Sequence, residues 1–171
     1  GALGALDRAE GLALEGRSRG TLATIRTDVA DLRVQHGDVD RQVLLDALDT
    51  VLTVGNLRAA GLLRLQLGAV DADPVQLAEA ALDLWESDRA WAAVAVARLV
   101  ELLPRSHPLV RLAPAAVAAL RRDWGSPLGA REAELVERTA GRADDPPPAS
   151  WAEDLHQHLR GVVTAARSAS A

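Results

Sequence analysis

Residues 73–108 read DPVQLAEAALDLWESDRAWAAVAVARLVELLPRSHP, and their pattern decides the fold. Asp73-Pro74 is a helix start: the Asp side chain accepts a backbone N–H as N-cap, and Pro fits the first helical position. Gln76, three residues after the cap, is placed to reach back to it. Up to Trp85 the pattern divides cleanly. Gln76, Glu79, Asp83 and Glu86 make a wet face, and Ala78, Ala81, Leu82 and Trp85 a dry one. Glu86-Ser87-Asp88-Arg89 is a polar break in which Ser87 or Asp88 caps the next helix; one continuous bent helix is the alternative. From Ala90 to Leu103 the chain is apolar nearly all round, and Pro104 ends the helix. The result is a helix hairpin against which others pack.

Upstream, Thr21 to His36 is amphipathic, with Leu22, Ile25, Val29 and Leu32 on one face, Thr21 as N-cap and Gly37 as stop. Asp38 caps a helix over Val39 to Val54, with Asp40 in its first turn and Leu44, Ala47, Leu48, Val51 and Leu52 as its stripe. Gly55-Asn56 ends that helix and caps another. Leu57 to Val70 has only Arg58, Arg64 and Gln66 as polar side chains. A helix without a continuous polar face is central in its domain. Residues 1–20 carry five glycines and read as a glycine-rich arm or frayed helix, with Leu3, Leu6 and Leu14 on one weak face.

Downstream, Pro104, Pro108 and Pro114 break the backbone, and a helix resumes by Pro114 to run to about Asp123. Ser126-Pro127 restarts another, from Pro127 to Ala140, with a thin face of Leu128, Leu135 and Val136. Residues 142–149, RADDPPPA, form a stiff polar linker that favours polyproline II. The C-terminal helix begins at Trp151, with Leu155, Leu159, Val162 and Ala166 along one side and a frayed end. The domain plan is therefore an arm over 1–20, a helical core over 21–141, the linker, and a C-terminal helix within 150–171. The fold class is all-α, with seven or eight antiparallel helices in a bundle or short helical-hairpin stack.

Composition agrees. Hydrophobic residues make up 49% of the 171, so the chain is long and apolar enough to bury a core. Phe, Tyr, Met and Cys are absent. Ala and Leu, the best helix formers, carry the core with Val and four Trp. All 19 basic residues are Arg, the mark of a GC-rich bacterial genome. Without an initiator Met the expectation is a processed product, a fragment or an altered start. Lack of Cys excludes disulfides and thiolate chemistry. No apolar run is long enough to span a membrane and no secretory signal is visible, so a cytoplasmic location is expected.

The net charge of −5 argues against nucleic acid as partner. Charge alternates along the chain: Asp38–Asp49 is acidic, Arg58 and Arg64 basic, Asp71–Asp88 acidic, and Arg89–Arg122 basic. One reading is that neighbouring helices complement each other across exposed edges. The other is a basic surface of Arg98, Arg105, Arg111, Arg121 and Arg122 that binds an acidic partner.

Chemistry has thin support. Glu153-x-x-His156 is half of a di-iron carboxylate motif, but a second such pair is missing, and Ser150-x-x-Glu153 accounts for Glu153 as a capping box. His156 and His158 point about 200° apart on a helix, so one ion cannot take both. His36 suits a helix C-terminus, and His107 lies in the proline-rich connection. Nucleophile elbows and phosphate loops are absent. No catalytic, cofactor-binding or metal-ligating set is assigned. Trp85 and Trp91 are either core or the aromatic wall of a pocket or groove.

Trp85 to Pro108 resembles the second half of a tetratricopeptide repeat. Asp88, Ala92 and Pro104 fall where that family has its polar turn, small residue and closing proline, and Pro74 and Pro108 stand one family period of about 34 residues apart. The preceding helix lacks the family's glycine and tyrosine, and the period is not kept elsewhere. The resemblance implies a helical-hairpin stack that binds peptides or proteins in a concave groove. The functional expectation is a non-catalytic protein–protein interaction or regulatory module, binding another protein or itself, with Trp85, Trp91 and the five arginines as partner- or ligand-binding residues. The alternatives are a small-molecule-sensing domain with a Trp-lined pocket, and a metal-dependent helical enzyme centred on Glu153 and His156.

Overall fold

The computed structural model describes residues 2–15, 19–35, 37 and 40–170. Among them lie nine helices and no strand: α1 (Ala2–Glu15), α2 (Arg19–Gln35), α3 (Arg41–Thr53), α4 (Leu57–Asp71), α5 (Pro74–Trp85), α6 (Arg89–Leu102), α7 (Pro108–Leu120), α8 (Ala130–Ala140) and α9 (Trp151–Ala169). None of these is long and apolar enough to cross a membrane. The ninth helix, beyond the seven or eight expected, is α1. It packs Leu6, Ala9 and Ala13 against Ile25 and Val29 of α2, while Leu14, expected on that face, is exposed.

Helix starts follow the chemistry of the caps. Asp73 Oδ1 accepts from Val75 N at 2.8 Å with Pro74 at the first position. Asn56 Oδ1 accepts from Ala59 N at 3.0 Å, and Asp88 caps α6 through Trp91 N. Each satisfies a donor that the first helical turn leaves orphaned. Several caps differ from expectation. Asp40 caps α3, which begins at Arg41, through Gln42 N at 2.9 Å. Asp38, Val39, His36, Gly1 and Gly16 lie outside the described residues, as do the side chains of Leu3 and Leu32. Thr21 falls inside α2, which begins at Arg19. Gln76 Oε1 is buried without a hydrogen bond rather than turned back to its cap. Ser150 donates to Asp154 Oδ2 at 2.7 Å, so the capping box with Glu153 does not form.

The proline-rich connection is shorter than the sequence suggests. α7 starts at Pro108, capped by His107 Nδ1, which accepts from Leu109 N at 3.2 Å, and it runs through Pro114. Pro114 removes the bond to the Val110 carbonyl. Burial of Leu109, Ala113, Ala116, Val117 and Leu120 on one face outweighs that loss. α8 begins at Ala130 rather than Pro127, because residues 125–126 are held elsewhere. Ser126 N donates to Asp88 Oδ1 at 3.0 Å, and a Cβ on Gly125 would lie 2.7 Å from the same oxygen.

Packing sorts seven of the nine described helices into two runs, with α1 on α2 and α3 between α2 and α4. α2, α4, α6 and α8 each touch the next; α5, α9 and α7 do likewise; and the sequential pairs from α4 to α8 tie the runs together. α4 touches α2, α3, α5 and α6, the central place expected of a helix without a polar face. Its approach to α5 is close. Gly61 faces Leu84 and Gly68 faces Leu77, so the two helices run in opposite directions with glycine replacing a side chain at each crossing. α6 is buried from Ala92 to Ala97 and at Leu99, and touches α4, α5, α7 and α8. α9 buries Leu155, Leu159, Val162 and Val163 in the same cluster.

Candidate functional site

Trp85 and Trp91 flank the turn between α5 and α6, and the two rings serve different surroundings. Trp85 is 5% exposed. Its ring lies 5.7 Å from that of Trp151 and 4.3 Å from the His156 ring, nearly edge-on, and the Arg89 guanidinium carbon sits 5.0 Å from its centroid. These contacts join the C-terminal end of α5 to α9 and the start of α6. Aromatic edge contacts and an arginine over the ring add to apolar burial here.

Trp91 lines a groove of about 480 Å³. α4 supplies one wall through Leu62, Leu65, Gln66, Ala69 and Val70. α6 supplies the other through Trp91, Val94 and Arg98, and Gly129 and Glu132 complete the lining. The spacing follows from helix geometry: 62, 65, 66 and 69 lie on one face of α4, and 91, 94 and 98 on one face of α6. The polar groups are Gln66, Arg98 and Glu132, with Arg98 Nη2 3.7 Å from a Glu132 carboxylate oxygen. The sequence offered Trp91 and Arg98; the α4 wall and Glu132 come from distant segments and were missed.

The remaining arginines are not gathered with Arg98. Arg121 pairs with Glu137 of α8. Arg111 lines a separate depression with Glu101, Arg142 and Asp144, and Arg105 and Arg122 are exposed. Oppositely charged segments meet across neighbouring helices: Arg41 with Asp71 at 2.8 Å, Arg58 with Asp88 at 3.1 Å, and Arg138 with Glu101 at 2.9 Å. The exposed pairs Arg41–Asp71 and Arg138–Glu101 contribute about 0.2–1 kcal/mol each, whereas the Asp88 side chain is buried. Arg64 of α4 reaches both Glu79 and Asp83 of α5. Its Nε lies 3.1 Å from Asp83 Oδ2, yet neither atom is hydrogen-bonded, so the guanidinium is poorly aligned on that carboxylate. Burial raises the Asp83 pKa above 3.8, and the attraction of Arg64 only partly offsets it.

His156 shares a wide cleft with Trp85, Ala152, Glu153, Gln157 and Arg160. Burial and, after it, the nearby Arg160 push the His156 pKa below 6.5; Glu86 opposes the shift and Arg89 adds to it. The imidazole is therefore neutral at pH 7, with Nε2 buried and unbonded. Glu153 and His156 gain no third ligand: among the described residues no group of three or more His, Asp or Glu is placed to hold a metal. Trp124, 55% exposed, stands at the surface in the connection before α8. No protein-family model, curated protein or solved structure matches this chain.

Proposed function

We propose that the chain is a non-catalytic helical interaction or regulatory module, working in the cytoplasm, that takes its partner in the groove beside Trp91. The observation that carries this reading is the groove itself. A half-buried tryptophan and aliphatic side chains from two helices line it, with three polar groups among them. Binding surfaces concentrate aromatic and arginine anchors in such concave, partly desolvated places. The tetratricopeptide-like hairpin over Trp85–Pro108 and its antiparallel neighbours favour the same use, since stacked hairpins present grooves between helices. Val70, 47% exposed, sits on the rim. A photo-crosslinking residue at position 70 is expected to capture a partner that Trp91→Ala no longer captures, while the same residue at position 160, on α9, captures none. Equal capture from both positions, or capture unaffected by Trp91→Ala, removes the groove from the account.

A second reading is a small-molecule-sensing domain. It is favoured by the size of the groove, which falls within the few hundred Å³ typical of ligand sites. In this reading Trp91 alone is the aromatic wall, because Trp85 belongs to the contact with α9.

A further inference from the structure

Arg98 is the one charged side chain on α6 between Arg89 and Glu101, and it stands in a helix buried from Ala92 to Ala97 and again at Leu99. Its side chain is 35% exposed, so the guanidinium draws on both water and partners within the fold. Such partners are few. Its distance to Glu132 is 3.7 Å, whereas every other ion pair described lies at 3.3 Å or closer. Arg98 makes no hydrogen bond among the described residues, although a guanidinium offers five N–H donors in a planar fork.

Glu132 has a second source of stabilisation. It lies in the first turn of α8, where the N-cap residue Gly129 makes no side-chain cap. Its Oε2 folds back to within 2.5 Å of where a Gly129 Cβ would stand. A carboxylate at that place is stabilised by the positive end of the helix dipole and does not depend on Arg98. The guanidinium thus lines a mostly apolar groove with no hydrogen-bonded partner within the fold, open to an incoming anion.

We infer that the groove binds an amphiphilic monocarboxylate, with its apolar body against Leu62, Ala69, Val70 and Trp91 and its carboxylate on Arg98. The inference rests on the reading of this groove as a binding site and adds the chemical class of its ligand. Arginine's fork matches a carboxylate in two parallel bonds, which a hydroxyl head cannot make. Glu132 beside it limits the ligand to a single negative charge, since a second would meet a carboxylate.

Three probes with the same eight-carbon chain test the inference by calorimetric titration: octanoate, 1-octanol and octylammonium. Octanoate is expected to bind at least about tenfold more tightly than octanol, the effect of one charge-assisted contact, and octylammonium no better than octanol. Arg98→Gln should lower octanoate to the level of octanol and leave octanol unchanged. Glu132→Gln should tighten octanoate and leave octanol unchanged, which keeps the test decisive if the Arg98 variant folds poorly. Equal binding of octanoate and octanol overturns the carboxylate inference and leaves the groove as an apolar site. Absence of octanoate binding also overturns it, and crosslinking from position 70 then decides separately whether the groove binds a protein.

Discussion

Replacing Asp88 by Ala removes the side chain that pins three parts of the fold together. Asp88 is 1% exposed. Oδ1 accepts from Trp91 N at 3.4 Å and from Ser126 N at 3.0 Å, and Oδ2 accepts from Arg58 Nε and Nη2 at 3.2 and 3.1 Å. Loss of the α6 cap costs about 1 kcal/mol. Leaving the Ser126 N–H without its acceptor costs about 1 kcal/mol more, the low end for a partly buried donor. Arg58 is 45% exposed, so its ion pair contributes at most about 1 kcal/mol. The sum is near 3 kcal/mol, a substantial share of the 5–15 kcal/mol typical of a domain. At this chain length it corresponds to a fall in Tm of about 6–12 °C. Asp88→Asn keeps the oxygen that serves Trp91 and Ser126 and loses the ionic partner of Arg58, so it should cost about 1 kcal/mol, whereas Arg58→Ala leaves the buried Oδ2 without a donor and should cost about 1–3 kcal/mol. Urea unfolding followed by circular dichroism measures all three. An Asp88→Ala variant within about 1 kcal/mol of the parent, or an Asp88→Asn variant as unstable as Asp88→Ala, would refute the threefold role of this side chain.

Three further outcomes follow from the packing and the titrating groups. Gly61→Ala places a Cβ 2.6 Å from Leu84 Cγ and should destabilise by about 1 kcal/mol or more; in a Leu84→Ala background, where Asp83 Cβ at 3.2 Å is the tight contact that remains, the cost should shrink. Equal effects in both backgrounds, measured by urea midpoints, would mean the helices adjust freely. Val94→Asp buries an unpaired charge at a fully enclosed site and should abolish the cooperative thermal transition; an unchanged melt would place α6 at the periphery. His156 is held neutral in the fold, while the unfolded chain takes up the proton near pH 6.5, so its contribution to stability is complete above 6.5 and fades as pH falls toward the lower native pKa. His156→Gln should flatten that part of the stability–pH curve between pH 7.5 and 5; an identical slope in the variant would exclude the residue as its source.

Local chemistry made much of the fold readable. Asp73-Pro74, Asn56 and Asp88 start helices where their side chains can accept an orphaned N–H, and Pro104 follows the end of α6, because caps and prolines act within a few residues. The central position of α4 was readable from the scatter of its three polar side chains. Tertiary contacts overrode local signals elsewhere. Pro114 reads as a break, but the buried face of α7 carries the helix through it. Ser126-Pro127 reads as a helix start, but Asp88, 38 residues earlier, takes the Ser126 N–H and delays α8 to Ala130. Ser150 reads as a cap, but its hydroxyl goes to Asp154. The groove was half legible: Trp91 and Arg98, seven apart, share a helix face, whereas Leu62, Leu65 and Glu132 reach it only through the packing of α4 and α8 on α6.

The most direct test of the groove as the binding surface is the set of four tryptophan indole N–H signals in a proton–nitrogen NMR titration with octanoate. The Trp91 signal should shift, together with backbone amides of Leu62, Leu65 and Val94, while the Trp85 and Trp151 signals stay in place. Shifts centred on Trp85, Trp151 and His156, or no shift at Trp91, would contradict the account.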